Sequence, residues 1–154
     1  NRQMYLFCVD FLSQRGYIQY EISNFAKSGY ECRHNLKYWE RTDYYGFGAS
    51  AHSLIGNIRY ENSYDIEEYI NSNKVTQTTL ETADIKNEFI MLALRKTSGI
   101  SLDEYKLLFG RDFLSEYFEV IEKYKNYCSG SDNRFCLNVD GISISNTIIC
   151  DFME

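Results

Sequence analysis

Apolar residues recur at helical spacing at the start of the chain and then change to the spacing of a strand. Residues 3–14 have the pattern of an amphipathic helix, and Gly16 stands where such a helix would end. Ile18, Tyr20 and Ile22 then alternate with polar residues, as in a half-buried strand. A helix, a glycine and a strand in this order make half of a βα repeat.

The middle of the chain is less regular. Residues 24–39 keep no period and predict a loop. The segment 44–53 is rich in glycine and other small residues, so it predicts a strand whose backbone closely approaches another group. A short strand at 58–60 and a helix at 65–71 are predicted next, and the polar residues 72–79 predict a boundary between two units.

Helical signals dominate the second half. Thr82 is predicted to cap a helix. Ser101 and Glu104 form a capping-box pattern, in which each side chain can bond a free amide near the other, before a short helix that ends at Gly110. Residues 113–124 carry the clearest helical stripe in the chain.

A hairpin and a final helix are predicted after these helices. Residues 135–139 alternate as a strand, and Asp140 with Gly141 predicts a two-residue hairpin turn. Asn146 is predicted to cap the last helix. Three helices, a hairpin and a helix indicate a winged-helix-like domain over residues 81–154.

Charge argues against a nucleic-acid partner. The chain carries 16 basic and 22 acidic side chains, a net charge of −6. Winged-helix proteins bind DNA through their third helix, whereas this third helix would repel phosphate. Its acidic residues are Asp112, Glu116, Glu119 and Glu122.

Composition indicates a folded chain of one domain or two small ones. Its 154 residues include 16% aromatics, too many for a disordered segment, and no apolar run has the length of a membrane span. The five cysteines form no C-x-x-C pair, which favours reduced thiols in a cytoplasmic protein and no metal site. Because the first residues read as the middle of a helix, we expect the chain to be part of a longer protein.

Three ordered motifs carry a family resemblance. They are YEISNFA at residues 20–26, HNLKYW at 34–39 and GFGASAHS at 46–53. Together they resemble the C-terminal part of the oxygen-independent coproporphyrinogen III oxidase-like radical SAM family, and within it most closely the branch of HemW-type heme chaperones. The resemblance continues at lower specificity over the rest of the chain.

The resemblance implies a parent with an N-terminal partial α/β barrel and a helical C-terminal domain. That barrel binds a [4Fe–4S] cluster and S-adenosylmethionine through a C-x-x-x-C-x-x-C motif, which this chain lacks. The expected fold class is therefore α+β, with a remnant of the barrel in residues 1–75 and the winged-helix-like domain in 81–154. By itself the chain is expected to perform no radical chemistry.

The resemblance also implies a heme or porphyrin contact at the second motif. His34 could ligate iron axially, Asn35 belongs to the same motif, and Tyr38 and Trp39 could lie against the macrocycle. The alternatives are that His34 is an ordinary surface residue and that both aromatic side chains pack in the core.

The third motif is similar to a segment that closes on the S-adenosylmethionine pocket of the oxidising branch. Gly46, Gly48 and His52 are the corresponding candidates for that side of the pocket. The alternative for the two glycines is that they only permit tight strand packing.

The predicted function of the parent is heme binding and transfer to an acceptor protein in the cytoplasm. One alternative is oxidative decarboxylation of coproporphyrinogen III by the full-length parent; another is that residues 81–154 are a protein-interaction module. Weak membrane association of the parent stays open, although none is evident in this chain. Because half a barrel exposes strand edges, we expect a dimer or a swapped assembly.

Overall fold

The computed structural model describes residues 2–72 and 74–153. The helices within these ranges are α1 (Arg2–Ser13), α2 (Arg33–Trp39), α3 (Ile66–Ser72), α4 (Thr82–Ala93), α5 (Leu102–Phe109), α6 (Phe113–Glu116), α7 (Phe118–Lys123), α8 (Val139–Ser143) and α9 (Ser145–Phe152). The strands are β1 (Ile18–Gln19), β2 (Phe25–Ala26), β3 (His52–Ile55), β4 (Ile58–Asn62), β5 (Val75–Thr79), β6 (Ile100–Ser101), β7 (Cys128–Ser131) and β8 (Arg134–Leu137).

Three small antiparallel sheets organise these strands. β1 pairs with β2, and β3, β4 and β5 form a meander in which Ser53 faces Tyr60. In the third sheet β8 lies between β6 and β7, with Ile100 opposite Phe135. The fold is therefore a mixed α+β arrangement without a closed barrel, as the sequence predicts.

The hydrophobic core lies in the second half of the chain. Its fully buried members come from α4, α5, α6, α9 and the third sheet, and each large apolar side chain contributes about 1.5–3 kcal/mol by leaving water. Among them are Ile90, Leu94, Ile100, Tyr105, Phe113, Ile148 and Phe152. Aromatic rings meet edge to face at its centre, where the Tyr105 and Phe113 centroids lie 5.1 Å apart.

The first half packs against this core through the backbone. The Ile22 N–H donates to the Arg95 carbonyl at 2.9 Å, and Glu21 forms an isolated antiparallel bridge with Lys96. These bonds place α2 beside α4, which brings the second sequence motif against the C-terminal helices.

Several local predictions for the first half are wrong. Residues 24–39 contain β2 and α2 rather than a continuous loop. The predicted boundary at 72–79 contains β5, and the division into two units stays a prediction. Only the end of 44–53 is a strand, because Gly48 (φ 108°) and Ser50 (φ 61°) bend the chain before His52. Isolated periodicity misses strands and helices this short, since tertiary packing stabilises them.

The predicted hairpin turn at Asp140 and Gly141 is also wrong. The Asn138 side chain accepts the Gly141 N–H at 2.9 Å and starts α8, so this segment is helical. The hairpin turns instead at Asp132 and Asn133, whose φ angles of 50° and 63° are those of a type I′ turn.

The helix caps are confirmed in part. Ser101 accepts the Glu104 N–H at 3.3 Å and Gly110 adopts φ 68° after α5, as predicted. Thr82 is the first residue of α4 rather than its cap, because Glu81 occupies the N-cap position. Similarly, α9 begins at Ser145, one residue before the predicted cap Asn146.

Candidate functional site

The second sequence motif forms α2, a helix of two turns. Cys32 precedes it in an extended conformation, and Arg41 follows it with φ 52°. Positions four apart lie on the same face of a helix. His34 therefore shares a face with Tyr38, and their rings meet edge to face with centroids 5.1 Å apart.

This exposed face continues into the next segment. The Tyr38 ring contacts the Tyr44 ring at a centroid distance of 4.8 Å and an interplanar angle of 63°. We call His34, Tyr38 and Tyr44 the α2 aromatic row. His34 and Tyr38 are exposed, and no hydrogen bond between described residues engages the His34 ring. The row presents a free imidazole beside two aromatic rings, a surface that suits a flat ligand with a metal centre.

Trp39 points away from the α2 aromatic row. Its ring lies 5.7 Å from the Arg95 guanidinium carbon, on the side of α4, and its Nε1 is buried without a hydrogen-bond partner. Asn35, four residues before Trp39, is partly buried, whereas His34 is exposed. The structure thus brings His34 and Tyr38 together and separates them from Trp39.

The third motif forms a tight turn against β3. A Cβ on Gly46 would lie 2.1 Å from the His52 carbonyl oxygen, so the backbones touch there. The Gly48 N–H donates to the Tyr69 hydroxyl at 3.2 Å, and the His52 ring lies 6.5 Å from that of Tyr64. The close approach to His52 accounts for Gly46, and the φ of 108° accounts for Gly48. A role of either glycine beside an S-adenosylmethionine pocket stays a prediction.

A cavity of about 300 Å³ lies on the inner side of α2. Side chains from α2, α4, α5 and β8 line it, so its residues are far apart in sequence. They include Trp39, Arg41, Phe89, Leu92, Lys96, Glu104 and Arg134. Sequence reasoning identified only Trp39 among them, because no local pattern links the others.

Burial lowers the pKa of Lys96 at this cavity. The carboxylates of Glu40 and Glu104 act in the opposite direction, and the Arg134 guanidinium adds to the lowering. Lys96 makes no ion pair with any described residue, so its ammonium group is partly desolvated without a direct partner.

The Glu88 carboxylate binds two arginines, one of which, Arg41, lines the cavity. Glu88 on α4 accepts from Arg41 Nε at 2.9 Å and from Arg59 Nη2 at 2.5 Å. The Arg41 and Glu88 side chains are both only 15% exposed, so solvent screens this pair little. The shared carboxylate fixes Arg41 in place and connects β4 to the C-terminal helices.

The described residues do not fit an iron–sulfur cluster. They contain no group of three or more His, Cys, Asp or Glu side chains placed to hold a metal. Cys128 and Cys136 come near each other across the third sheet, whereas Cys8, Cys32 and Cys150 are exposed elsewhere. Burial raises the pKa of the Cys128 thiol to about 11, so it stays protonated at neutral pH.

The described helices include none that is both long and apolar enough to cross a membrane.

Comparison with known proteins connects these features to one group. Residues 80–144 match the profile of the HemN C-terminal domain. The chain is 30% identical over 159 residues to the heme chaperone HemW of Lactococcus lactis subsp. lactis (strain IL1403), covering 99% of this chain and 42% of that protein. It is 32% identical over 160 residues to HemW of Bacillus subtilis (strain 168), again covering 42% of the relative.

A solved structure shows the same fold. The chain superimposes with a TM-score of 0.72 on coproporphyrinogen III oxidase (HemN) from Escherichia coli, described as a radical SAM enzyme. The match covers 96% of this chain and 39% of the enzyme at 14% identity, which supports likeness of fold alone. The chain thus spans less than half the length of these relatives.

Proposed function

We propose that the protein carrying this chain is a heme-binding chaperone, because the chain is a relative of the HemW heme chaperones of the oxygen-independent coproporphyrinogen III oxidase-like family. The similarity to two HemW proteins extends over nearly the whole chain. The chain spans 42% of their length, so the proposal concerns heme binding and heme transfer by the whole protein.

The α2 aromatic row is the observation that carries the proposal. His34 is exposed, its ring makes no hydrogen bond to a described residue, and Tyr38 stands 5.1 Å away. A neutral imidazole is a ligand for heme iron, and aromatic rings pack well against a porphyrin. In this proposal His34 ligates the iron and Tyr38 contacts the macrocycle, while Asn35 and Trp39 hold α2 in place from its inner side.

The rest of the proposal concerns the whole protein. The whole protein would act in the cytoplasm and release heme to an acceptor protein. Weak association with a membrane would allow this transfer to take place at the membrane surface. A [4Fe–4S] cluster and S-adenosylmethionine would belong to the part outside these residues, with Gly46, Gly48 and His52 on the side of that pocket. Because the described residues do not fit the cluster, the role proposed for this chain is confined to heme contact.

Heme titration tests the axial ligand. We expect heme to give a saturable Soret shift with the wild-type protein, and His34→Ala to remove that shift and weaken binding about tenfold or more. The chain has two histidines, so His52→Ala is the matched comparison. We expect it to keep the wild-type spectrum and affinity.

If His34→Ala keeps the wild-type heme spectrum, His34 is not the axial ligand. Loss of that spectrum in His52→Ala would contradict the assignment equally. Circular dichroism of both variants separates loss of the ligand from loss of the fold. If the full-length protein with a reconstituted cluster forms protoporphyrinogen from coproporphyrinogen III, the enzymatic alternative replaces the chaperone proposal.

A further inference from the structure

The N-terminus of α9 has no side-chain cap and opens into a second cavity. Its N-cap residue is Ile144, whose side chain cannot accept a hydrogen bond, and its first turn carries no acidic residue. The Ser145 and Asn146 amides begin the helix and donate to no acceptor among the described residues. Free amides at this end of a helix carry partial positive charge, so they favour an anion.

The Ser145 side chain is an independent donor at the same place. Ser145 is 3% exposed and lines the cavity, yet its hydroxyl makes no hydrogen bond with another described residue. The hydroxyl keeps some surface open to the cavity, unlike the sealed Trp39 Nε1. Because buried hydroxyl groups in proteins are normally hydrogen-bonded, the unpartnered one indicates that the cavity receives an acceptor.

Charge at this cavity is positive, although the chain as a whole is acidic. Arg2 of α1 lines the cavity, and none of the described residues that line it is acidic. The guanidinium donates from Nη2 to Asp140 and from Nε to the Ser143 hydroxyl at 3.3 Å, which leaves Nη1 without a described partner. The side chains of the Arg2–Asp140 pair are about half exposed, so the pair contributes little and a ligand can displace it.

The cavity has room for more than a simple ion. Its volume is about 620 Å³, which is within the range of small-molecule sites. Tyr5 and Ile22 line it from the first half of the chain, and Ile142 and Ile144 line it from the second half. Donors at a helix end together with apolar walls suit a small organic molecule that carries one oxyanion.

We propose that this cavity binds a phosphate monoester of a small organic molecule. The Ser145 amide and hydroxyl, the Asn146 amide and the Arg2 guanidinium donate to the phosphate, whose three terminal oxygens offer more acceptors than the two of a carboxylate. Tyr5 and the isoleucines contact the organic part. The site shares no residue with the α2 aromatic row and does not depend on heme binding.

Amide chemical shifts of the ¹⁵N-labelled chain test the proposal at the helix end itself. We expect phenyl phosphate to shift the Ser145 and Asn146 signals in a saturable way, and inorganic phosphate to do so with lower affinity because it lacks the organic part. The Asp103 amide is the internal control. It lies in α5, which has eight residues like α9 but is capped by Ser101 and acidic in its first turn, so its signal should stay in place.

Two other aromatic compounds separate the contributions of charge and of phosphate geometry at matched ionic strength. Phenol, which is neutral, should leave both amide signals in place. Benzoate should bind about tenfold more weakly than phenyl phosphate, because it has fewer acceptor oxygens. Equal affinities for benzoate and phenyl phosphate would overturn the assignment to phosphate, and an equal response to phenol would overturn the anion site.

Ser145→Ala separates ligand binding from stability. We expect it to weaken phenyl phosphate binding by about tenfold, which is the range for a hydrogen bond to a charged group. Without ligand the variant should melt at the wild-type temperature or above it, since the substitution removes a buried hydroxyl that has no partner. A lower melting temperature with unchanged affinity would mean that the hydroxyl serves the fold alone.

Arg2→Gln tests the charged donor. We expect it to weaken phenyl phosphate binding by about tenfold. Arg15→Gln is the matched control, since Arg15 is an exposed arginine just after the same helix and does not line the cavity. It should bind as the wild type does. The proposal fails if neither phosphate compound shifts the two amides in a saturable way, or if the two arginine variants bind equally tightly.

Discussion

Gly99 and Gly16 show two different reasons for glycine at positions of positive φ. Gly99 has φ 62°, and a Cβ there would lie 2.1 Å from the Phe135 carbonyl oxygen and 2.5 Å from Cys136 Cβ. Gly16 has φ 77°, but a Cβ there would meet nothing within 4 Å. The first glycine allows β6 to approach β8, and the second only ends α1.

A pair of alanine substitutions separates these reasons. We expect Gly16→Ala to cost about 1 kcal/mol, the cost of a left-handed residue with a side chain. Gly99→Ala should cost about 2–4 kcal/mol, because the third sheet must also shift to accommodate the methyl group. Urea unfolding measures both values, and equal costs would contradict the close approach of the strands.

At the scale of single elements, α2 shows how packing divides a motif. Adjacent residues Tyr38 and Trp39 face different surroundings, because successive positions of a helix differ by about 100°. Tyr38 contacts His34 and Tyr44, whereas Trp39 contacts Arg95 and the cavity. A helix of seven residues without a side-chain cap is stable here because it packs against α4.

The carboxylate of Glu116 on α6 connects this helix to α4 and α5. Glu116 on α6 accepts from Lys86 Nζ of α4 at 3.1 Å, from the Tyr105 hydroxyl of α5 at 2.8 Å and from Arg111 Nη1 at 3.0 Å. Burial alone would raise the pKa of Glu116, but the hydrogen bonds from Tyr105, Lys86 and Arg111 outweigh it and hold that pKa below the ordinary 4.5. The acidic residue that argued against DNA binding is thus also a structural element of the core.

Glu116→Gln tests this connection through stability. We expect a loss of about 2–3 kcal/mol at pH 7, because a neutral amide replaces the carboxylate that accepts hydrogen bonds from Lys86, Tyr105 and Arg111. Glu122→Gln, in an exposed pair with Lys125, is the control and should change stability by less than about 0.5 kcal/mol. The free energy of unfolding from urea titration measures both.

The effect should depend on pH in one direction. Because the pKa of Glu116 is lower in the folded state, its carboxylate stabilises the fold above pH 4.5, and this stabilisation is lost as the pH falls below 4.5. The difference between wild type and Glu116→Gln should therefore shrink in acid. A difference that grew as the pH fell would contradict this role.

At the scale of the whole molecule, apolar surface is concentrated on the first helix. Met4, Phe7 and Phe11 lie on one face of α1, with Phe7 65% exposed and its ring stacked on Phe11 at 5.7 Å. The edge strand β5 is also exposed along its length and carries no charge. Soluble proteins usually cover such features.

We expect the chain to self-associate through the α1 face. Light scattering should give a dimer for the wild type and a monomer for Phe7→Glu, since a charge at the centre of the face would be desolvated on association. Leu107→Glu, at a leucine of α5 that is exposed even more than Phe7, should stay dimeric. A wild-type monomer, or equal behaviour of the two variants, would contradict the prediction.

Much of the architecture follows from local signals. Spacing of apolar residues predicts α1, α4 and α5, the cap at Ser101 and the stop at Gly110, because these depend on neighbours within a few positions. The predicted position of the hairpin is wrong because Asp140 and Gly141 form a turn pattern that Asn138 overrides by starting α8.

The amino-acid sequence by itself determined the fold class, the family resemblance and the candidate motif, since each rests on residue types at fixed short spacings. Only the tertiary structure decided that Tyr38 faces solvent and Trp39 a cavity, and that Arg41, Lys96 and Arg134 meet there. These residues are brought together by the packing of α2 on α4 and by sheet pairing. Contacts between distant positions depend on that packing, which leaves no periodic pattern along the chain.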